Sequence, residues 1–362
     1  MAKKIITFLF VFCILSCSGK NKDHSGKDTI EWRAYTYWWW QGNAVDSANI
    51  AYNLDMMSKA GIGGAHIVPI YGIRGEENRF LRYLSPEWVK MIEYASQKAS
   101  ELGMTLDMTL GTGWCYGGNW VEARYGTMSA GFEIIKDCKS SMVIDLSPTS
   151  GYPVDTVLCV LADYGNSRRI DLSPSISGQK VTLPGNMPQA TLYVLRMQGP
   201  KTSVKRAAPG AEGPMLNPFS TKSFEAYVEP YEIAFQGNMG KYISSIYHDS
   251  YEYFGANWSI ELLEKFEASR GYRLQTFLPE LLDKGRTELS RRVIADYRQT
   301  ISELHVAYIK SVKRWAEQNH TRFRNQAHGS PTNWLDTYAV ADIPETESFG
   351  SSSFKIPKFD RD

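Results

Sequence analysis

Two pairs of carboxylates stand out in the chain, Asp249 with Glu252 and Glu345 with Glu347. Each pair follows a short strand-like run, YISSIYHD at 242–249 and DIPE at 342–345. Carboxylates brought to one place by different strands can divide proton chemistry between them. One protonates a leaving oxygen while the other activates water or attacks carbon, which is what glycoside hydrolysis requires. The same residues also suit helix N-caps and solvated loop carboxylates. Other apolar runs end in aromatics and amides: WWWQGN (38–43), PIYG (69–72), GTGW (111–114) and NQAHG (325–329). Aromatic faces stack on the C–H face of a pyranose, and amides and carboxylates bind hydroxyls in pairs. Trp40 and Trp114 are candidate stacking platforms. Asp249, His328 and Asn325 are candidate polar contacts. Side chains alternate along a strand, so Trp38, Trp39 and Trp40 cannot all line a pocket. For the same reason Asn325 and Gln326 cannot both point inward, and His248 faces away from Asp249.

The elements that must position these residues alternate between strand and helix. Strand-like runs are expected at 33–39, 65–70 and 104–110. Between them lie amphipathic helices, one started by Asp46 or Ser47 and stopped by Gly61, the next started by Ser85-Pro86 and ended at Gly103. The rhythm breaks over 127–235, where β-branched runs such as TVLCVLA and ATLYVLRM are separated by Ser, Pro and Gly clusters. This reads as an inserted antiparallel β-rich subdomain. The rhythm resumes with a strand at 242–249, a helix at 259–270, a long helix at 290–319, a strand at 321–327, a short helix at 333–341 and a strand at 342–345. The fold class expected is α/β. It is a (β/α)8 TIM-type barrel with about six βα units in view, divided by the insert into 31–126 and 236–362. An open doubly wound sheet is the alternative.

Composition narrows the partners. Lys and Arg number 40 and Asp and Glu 39, a formal charge of +1, so no basic field invites nucleic acid. No GxGxxG or GxxxxGK[ST] follows a strand-like run, which argues against a nucleotide. Lys3 and Lys4 precede an apolar run at 5–15 that ends Leu15-Ser16-Cys17. This pattern predicts a lipoprotein signal peptide at 1–16, lipidation of Cys17 and a polar tether over 17–30. The protein is therefore expected to be exported and membrane-anchored, periplasmic or at the outer-membrane surface. Cys115, Cys138 and Cys159 remain, an odd number without a CxxC, so neither zinc nor a disulfide framework is indicated. A Cys138–Cys159 pair is conceivable in an exported protein.

Several segments resemble glycoside hydrolase family 106, the α-L-rhamnosidases, many of them from gut Bacteroidetes. The similar stretches include YWWWQGN, KAGIGGAHI, LDMTLGTGW and VKRAAPGAEGPMLNPFS. They continue with HDSYEYFGANWSIELLEKFEASRGYRLQTFLPEL and with RNQAHGSPTNWLDTYAVADIPETESF, in one order from about Trp38 to Phe349. The resemblance implies an inverting two-carboxylate hydrolase on a (β/α)8 barrel, a bound calcium, and a rhamnose-containing glycan as substrate, such as plant pectin side chains. The family's D-S-x-E pattern falls on Asp249, Ser250 and Glu252. Its P-x-x-E falls on Pro344 and Glu347, which favours Glu347 over Glu345. Glu252 is then expected to be the general acid and Glu347 the general base. The calcium ligands are not marked by any spacing in the sequence. Members of the family run longer, so the chain is expected to end early, as a fragment or an inactive product. A different exo-glycosidase, or a non-catalytic glycan-binding lipoprotein, are the competing readings.

Overall fold

The structure is a computed structural model and describes residues 33–347. The expected signal peptide (1–16), Cys17 and the tether (17–30) lie outside the described residues, as do residues 348–362.

The chain opens β1 (Tyr35–Gln41), α1 (Ser47–Lys59), β2 (Gly64–Ile70), α2 (Pro86–Glu101) and β3 (Thr105–Thr109). Local chemistry sets these bounds. Asp46 caps α1 by accepting the Asn49 N–H at 2.8 Å, and Ser85 caps α2 by accepting from Trp88 at 3.2 Å with Pro86 behind it. Six strands follow: β4 (Ser129–Cys138), β5 (Val143–Asp145), β6 (Val154–Asp163), β7 (Arg169–Asp171), β8 (Lys180–Thr182) and β9 (Ala190–Gly199). Next come α3 (Thr221–Phe235), α4 (Met239–Tyr242), β10 (Ser245–His248), α5 (Leu262–Arg270), α6 (Leu278–Leu282), α7 (Glu288–Gln318), β11 (Arg322–Gln326), α8 (Trp334–Tyr338) and β12 (Ile343–Glu345).

The main sheet is parallel throughout and ordered β1-β2-β3-β10-β11-β12. Strand order follows chain order from one edge to the other. A doubly wound sheet would reverse at a switch point, and this one does not. One face is apolar. Trp40, Ile67, Met108, Ile246 and Phe323 are buried there against Ile50 and Leu54 of α1, Trp88 and Ile92 of α2, Phe224 and Tyr231 of α3, and Tyr308 and Trp315 of α7.

The insert has its own order, β4-β9-β6-β7, antiparallel, with β5 and β8 as a separate pair. Leu161, Leu195 and Met197 bury against Trp258, Leu262 and Phe266 and against Val293, Ile301 and Leu304 of α7. That apolar seam joins the insert to the helices of the main body. The antiparallel pairing ends at Gly199, and residues 221–235 are helix rather than β-rich sequence. Phe224, Tyr227, Val228, Tyr231 and Phe235 recur at helical spacing on the buried side of α3. Pro230 inside that run conceals the pattern, because proline ordinarily marks a helix boundary. Cys115, Cys138 and Cys159 are all free and buried, so Cys138 and Cys159 do not pair.

Candidate active site

Register determines which side chains reach the sheet face opposite the helices. Tyr37 lies beside His66, and His66 beside Asp107. Thr109 lies beside Tyr247, Tyr247 beside Arg324, and Gln326 beside Glu345. Paired residues share a face, and so do residues two apart. Trp39, within β1, therefore shares this polar face, and Asp249 and Glu347 continue it past the ends of β10 and β12. Trp38 and Trp40 belong to the apolar face.

The expected residues divide along that line. Trp40 is fully buried, edge-on to Trp38 at 5.6 Å and Trp88 at 6.2 Å, and leaves no face for a sugar. Its neighbour Trp39 is 46% exposed and sits 6.0 Å from Trp114. Trp39 takes the place expected of Trp40, because the partner strand fixes the alternation and the three consecutive tryptophans do not. Asn325 is likewise fully buried, 3.0 Å from His248 Nδ1. It holds a core histidine whose pKa burial pushes down to about 3, and it does not face the mouth. His328 is half-buried at the end of β11, 6.1 Å from the Trp334 ring.

The polar face is an ion-pair network. Arg324 binds Asp107 at 2.8 Å and Glu345 at 2.7 Å, and its guanidinium lies 4.7 Å over the Tyr247 ring. Gln326 donates to Glu345 at 3.2 Å. Glu345 is thus committed to Arg324 and Gln326, whereas Glu347 is exposed at the strand end. The Tyr37 hydroxyl lies 3.3 Å from that of Tyr247, and Tyr247 donates to Asp249 Oδ1 at 3.4 Å.

Asp249, Glu252 and Glu347 meet at this end of the sheet. Burial pushes the Asp249 carboxyl up to about 6, and the negative charges of Glu347 and Glu252 add to the rise. The Ser250 N–H, donating at 2.7 Å, opposes it. The native protein therefore holds this proton more tightly than the unfolded chain does. Stability falls as pH rises through the window between the ordinary value of 3.8 and about 6. An Asp249→Asn variant should lose part of that slope: melting temperatures at about pH 4.5 and about pH 7.5 should lie closer together than in the parent. Identical slopes in both proteins would show that Asp249 does not carry the shift.

Glu252 accepts from Lys205 Nζ at 2.5 Å. Lys205 and its neighbour Arg206 come from the segment that returns from the insert. The backbone there is tied to the mouth: Trp114 N–H donates to the Lys205 carbonyl at 3.0 Å and Lys205 N–H to the Trp114 carbonyl at 2.8 Å. Tyr71 N–H donates to the Arg206 carbonyl at 3.2 Å. Gly113 permits this approach, since its φ is +54° and a Cβ there would lie 1.9 Å from the Lys205 oxygen. Nothing local in the sequence marks Lys205 and Arg206 as site residues. Their only signal is their place inside the VKRAAPG segment.

A paired set of carboxylates beside aromatic platforms can protonate a glycosidic oxygen and activate water. Comparison with known proteins gives the family. The family model described as alpha-L-rhamnosidase matches residues 28–131 and 167–353. The chain belongs to glycoside hydrolase family 106. The stretch between the two matched parts falls within the antiparallel insert. Among curated proteins, one from Formosa agariphila, provisionally named a beta-glucuronidase, is 24% identical over 380 residues. That match covers 90% of this family 106 chain and 32% of the relative. Among solved structures, the rhamnosidase from Novosphingobium sp. PP1Y superposes with a TM-score of 0.65 at 15% identity. It covers 86% of this chain and 48% of that one, and the likeness is one of fold. The chain thus spans about a third of the curated relative and about half of the solved rhamnosidase.

Proposed function

We propose that this family 106 protein hydrolyses α-L-rhamnosides in a rhamnose-containing glycan, with inversion, at the end of the parallel sheet where Asp249, Glu252 and Glu347 converge. That convergence carries the reading: Glu252, from the loop after β10 that also holds Asp249, and Glu347, from beyond β12, both lie near enough for their charges to act on Asp249. The six sequential parallel strands are part of a (β/α)8 barrel in this reading, and the Tyr37–Arg324 face is its interior. Glu252, once substrate separates it from Lys205 and its carboxyl takes up a proton, protonates the leaving oxygen, and Glu347, exposed at the mouth, activates the attacking water. Inversion requires their carboxyl groups to stand roughly 6.5–9.5 Å apart, leaving room for that water. Asp249 holds a hydroxyl of the cleaved sugar, and Trp39 and Trp114 form an aromatic shelf beside it for the adjoining ring. Pectin side chains are one source of such rhamnosides. In the same reading the protein is exported and held at a membrane through lipidated Cys17.

Calcium has no step in this mechanism. Among the described residues, no group of three or more His, Cys, Asp or Glu side chains is arranged to hold a metal ion.

The name of the Formosa relative favours a second reading, an exo-glycosidase for glucuronides. Purified protein offered aryl α-L-rhamnoside and aryl β-glucuronide separates the two. Release from the rhamnoside alone is the expected result. Release from the glucuronide alone would replace this reading. Binding of rhamnosides with no release from either would make the protein a non-catalytic glycan binder.

A further inference from the structure

We propose that Arg206 selects an anionic neighbour for the cleaved sugar: a uronate ring seated on the shelf formed by Trp39, Trp114 and Tyr71. The inference rests on the glycosidase reading and names the chemistry of its adjoining subsite.

The cations of the mouth differ in what they already bind. Arg324 is engaged by Asp107 and Glu345, and Lys205 by Glu252. Arg206 has no carboxylate partner among the described residues. Its Nη1 donates to the Tyr71 hydroxyl at 3.2 Å. Its guanidinium lies 5.7 Å from the Tyr71 ring and 5.6 Å from the Trp114 ring. The side chain is exposed, yet two rings flank it; its own carbonyl accepts from Tyr71 N–H, and the backbone of the preceding Lys205 is hydrogen-bonded to Trp114. Flanking of this kind holds a guanidinium without neutralising it.

The remaining donors form a planar fork, and a carboxylate is the anion whose geometry that fork matches with two parallel bonds. The place of the fork matters as much as its charge. Glu252 and Glu345 are paired with cations, but Asp249 and Glu347 have no cationic partner among the described residues and leave the rest of the mouth negative, so an acidic glycan would be repelled unless a cation met it. Arg206 adjoins Lys205, the partner of Glu252, but sits out on the aromatic shelf. It therefore meets the ring next to the bond being cleaved. Trp114 and Trp39 supply the stacking surface for that ring.

The test compares an α-L-rhamnosyl uronate disaccharide with an uncharged aryl α-L-rhamnoside on the purified full chain, for the parent and Arg206→Ala. The ratio of kcat/KM for the acidic over the uncharged substrate should fall about tenfold to hundredfold in the variant. Added salt should lower the parent's ratio more than the variant's. Arg206→Lys keeps the charge and loses the fork, so it should recover only part of the ratio. An unchanged ratio in Arg206→Ala would overturn the proposal. If neither substrate is turned over by the parent, the glycosidase reading fails separately. Calorimetric binding of the same disaccharide then decides the subsite: binding weakened by Arg206→Ala supports it, and equal or absent binding refutes it. A sulfated neutral disaccharide bound as tightly as the uronate would also count against a carboxylate subsite.

Discussion

Glu252→Gln and Glu347→Gln are each expected to lower kcat on an aryl α-L-rhamnoside by about a hundredfold to ten-thousandfold. Glutamine keeps the shape and most of the hydrogen bonding but neither gives nor takes the proton. The two losses should differ in kind. If Glu252 is the acid, its absence matters most when the leaving oxygen is basic. The Glu252→Gln variant should then approach the parent on an activated dinitrophenyl rhamnoside, where the leaving group departs without help. Glu347→Gln lacks the base that activates water, so a better leaving group should not rescue it. Neither change threatens the fold greatly. Glu347 is exposed, and the Lys205 left behind by Glu252→Gln is 41% exposed and can hydrate its charge. A variant with undiminished turnover would remove its residue from the mechanism. Rescue of Glu347→Gln instead of Glu252→Gln would exchange their roles.

Trp40→Ala should destabilise the protein by about 3–5 kcal/mol, whereas Trp39→Ala should leave its melting temperature nearly unchanged and weaken sugar binding. The two residues are adjacent in the chain and opposite in the sheet. Trp40 is fully buried in the layer between β1 and the helices, and truncating it opens a cavity that Trp38 and Trp88 cannot fill. Trp39 is 46% exposed on the other face, where its loss removes a stacking surface and little packing. Chemical denaturation of both variants, with rhamnoside binding measured on each, checks the contrast. Similar destabilisation by both would mean that β1 is placed in the wrong register.

These tryptophans also show how far sequence reasoning reaches. The strand expected at 33–39 is plain from its aromatic run and lies two residues further on, at Tyr35–Gln41, and the helices around it are plain from Asp46, Ser85-Pro86 and their apolar spacing. Which of three successive tryptophans faces outward depends on pairing with β2, from Trp38 beside Ile67 to Trp40 beside Pro69, and pairing is not local. Asn325 failed as a mouth residue for the same reason, while Arg324 and Gln326, one residue to either side, lie on the polar face. The placement of Asp249, Glu252 and Glu347 beyond the ends of β10 and β12 was legible because strand ends and carboxylates are both visible in the chain. Lys205 and Arg206 were not. They reach the mouth through an excursion of some seventy residues, Ser129–Gly199, whose return point no periodicity announces. The helix Thr221–Phe235 was hidden by its own Pro230.

The central claim is that two carboxylates at the sheet mouth cleave an α-L-rhamnoside with inversion. Proton NMR of the first rhamnose released from an aryl α-L-rhamnoside, recorded before mutarotation, tests it most directly. The account predicts that the β-anomer appears first. First appearance of the α-anomer, or no release at all, would contradict it.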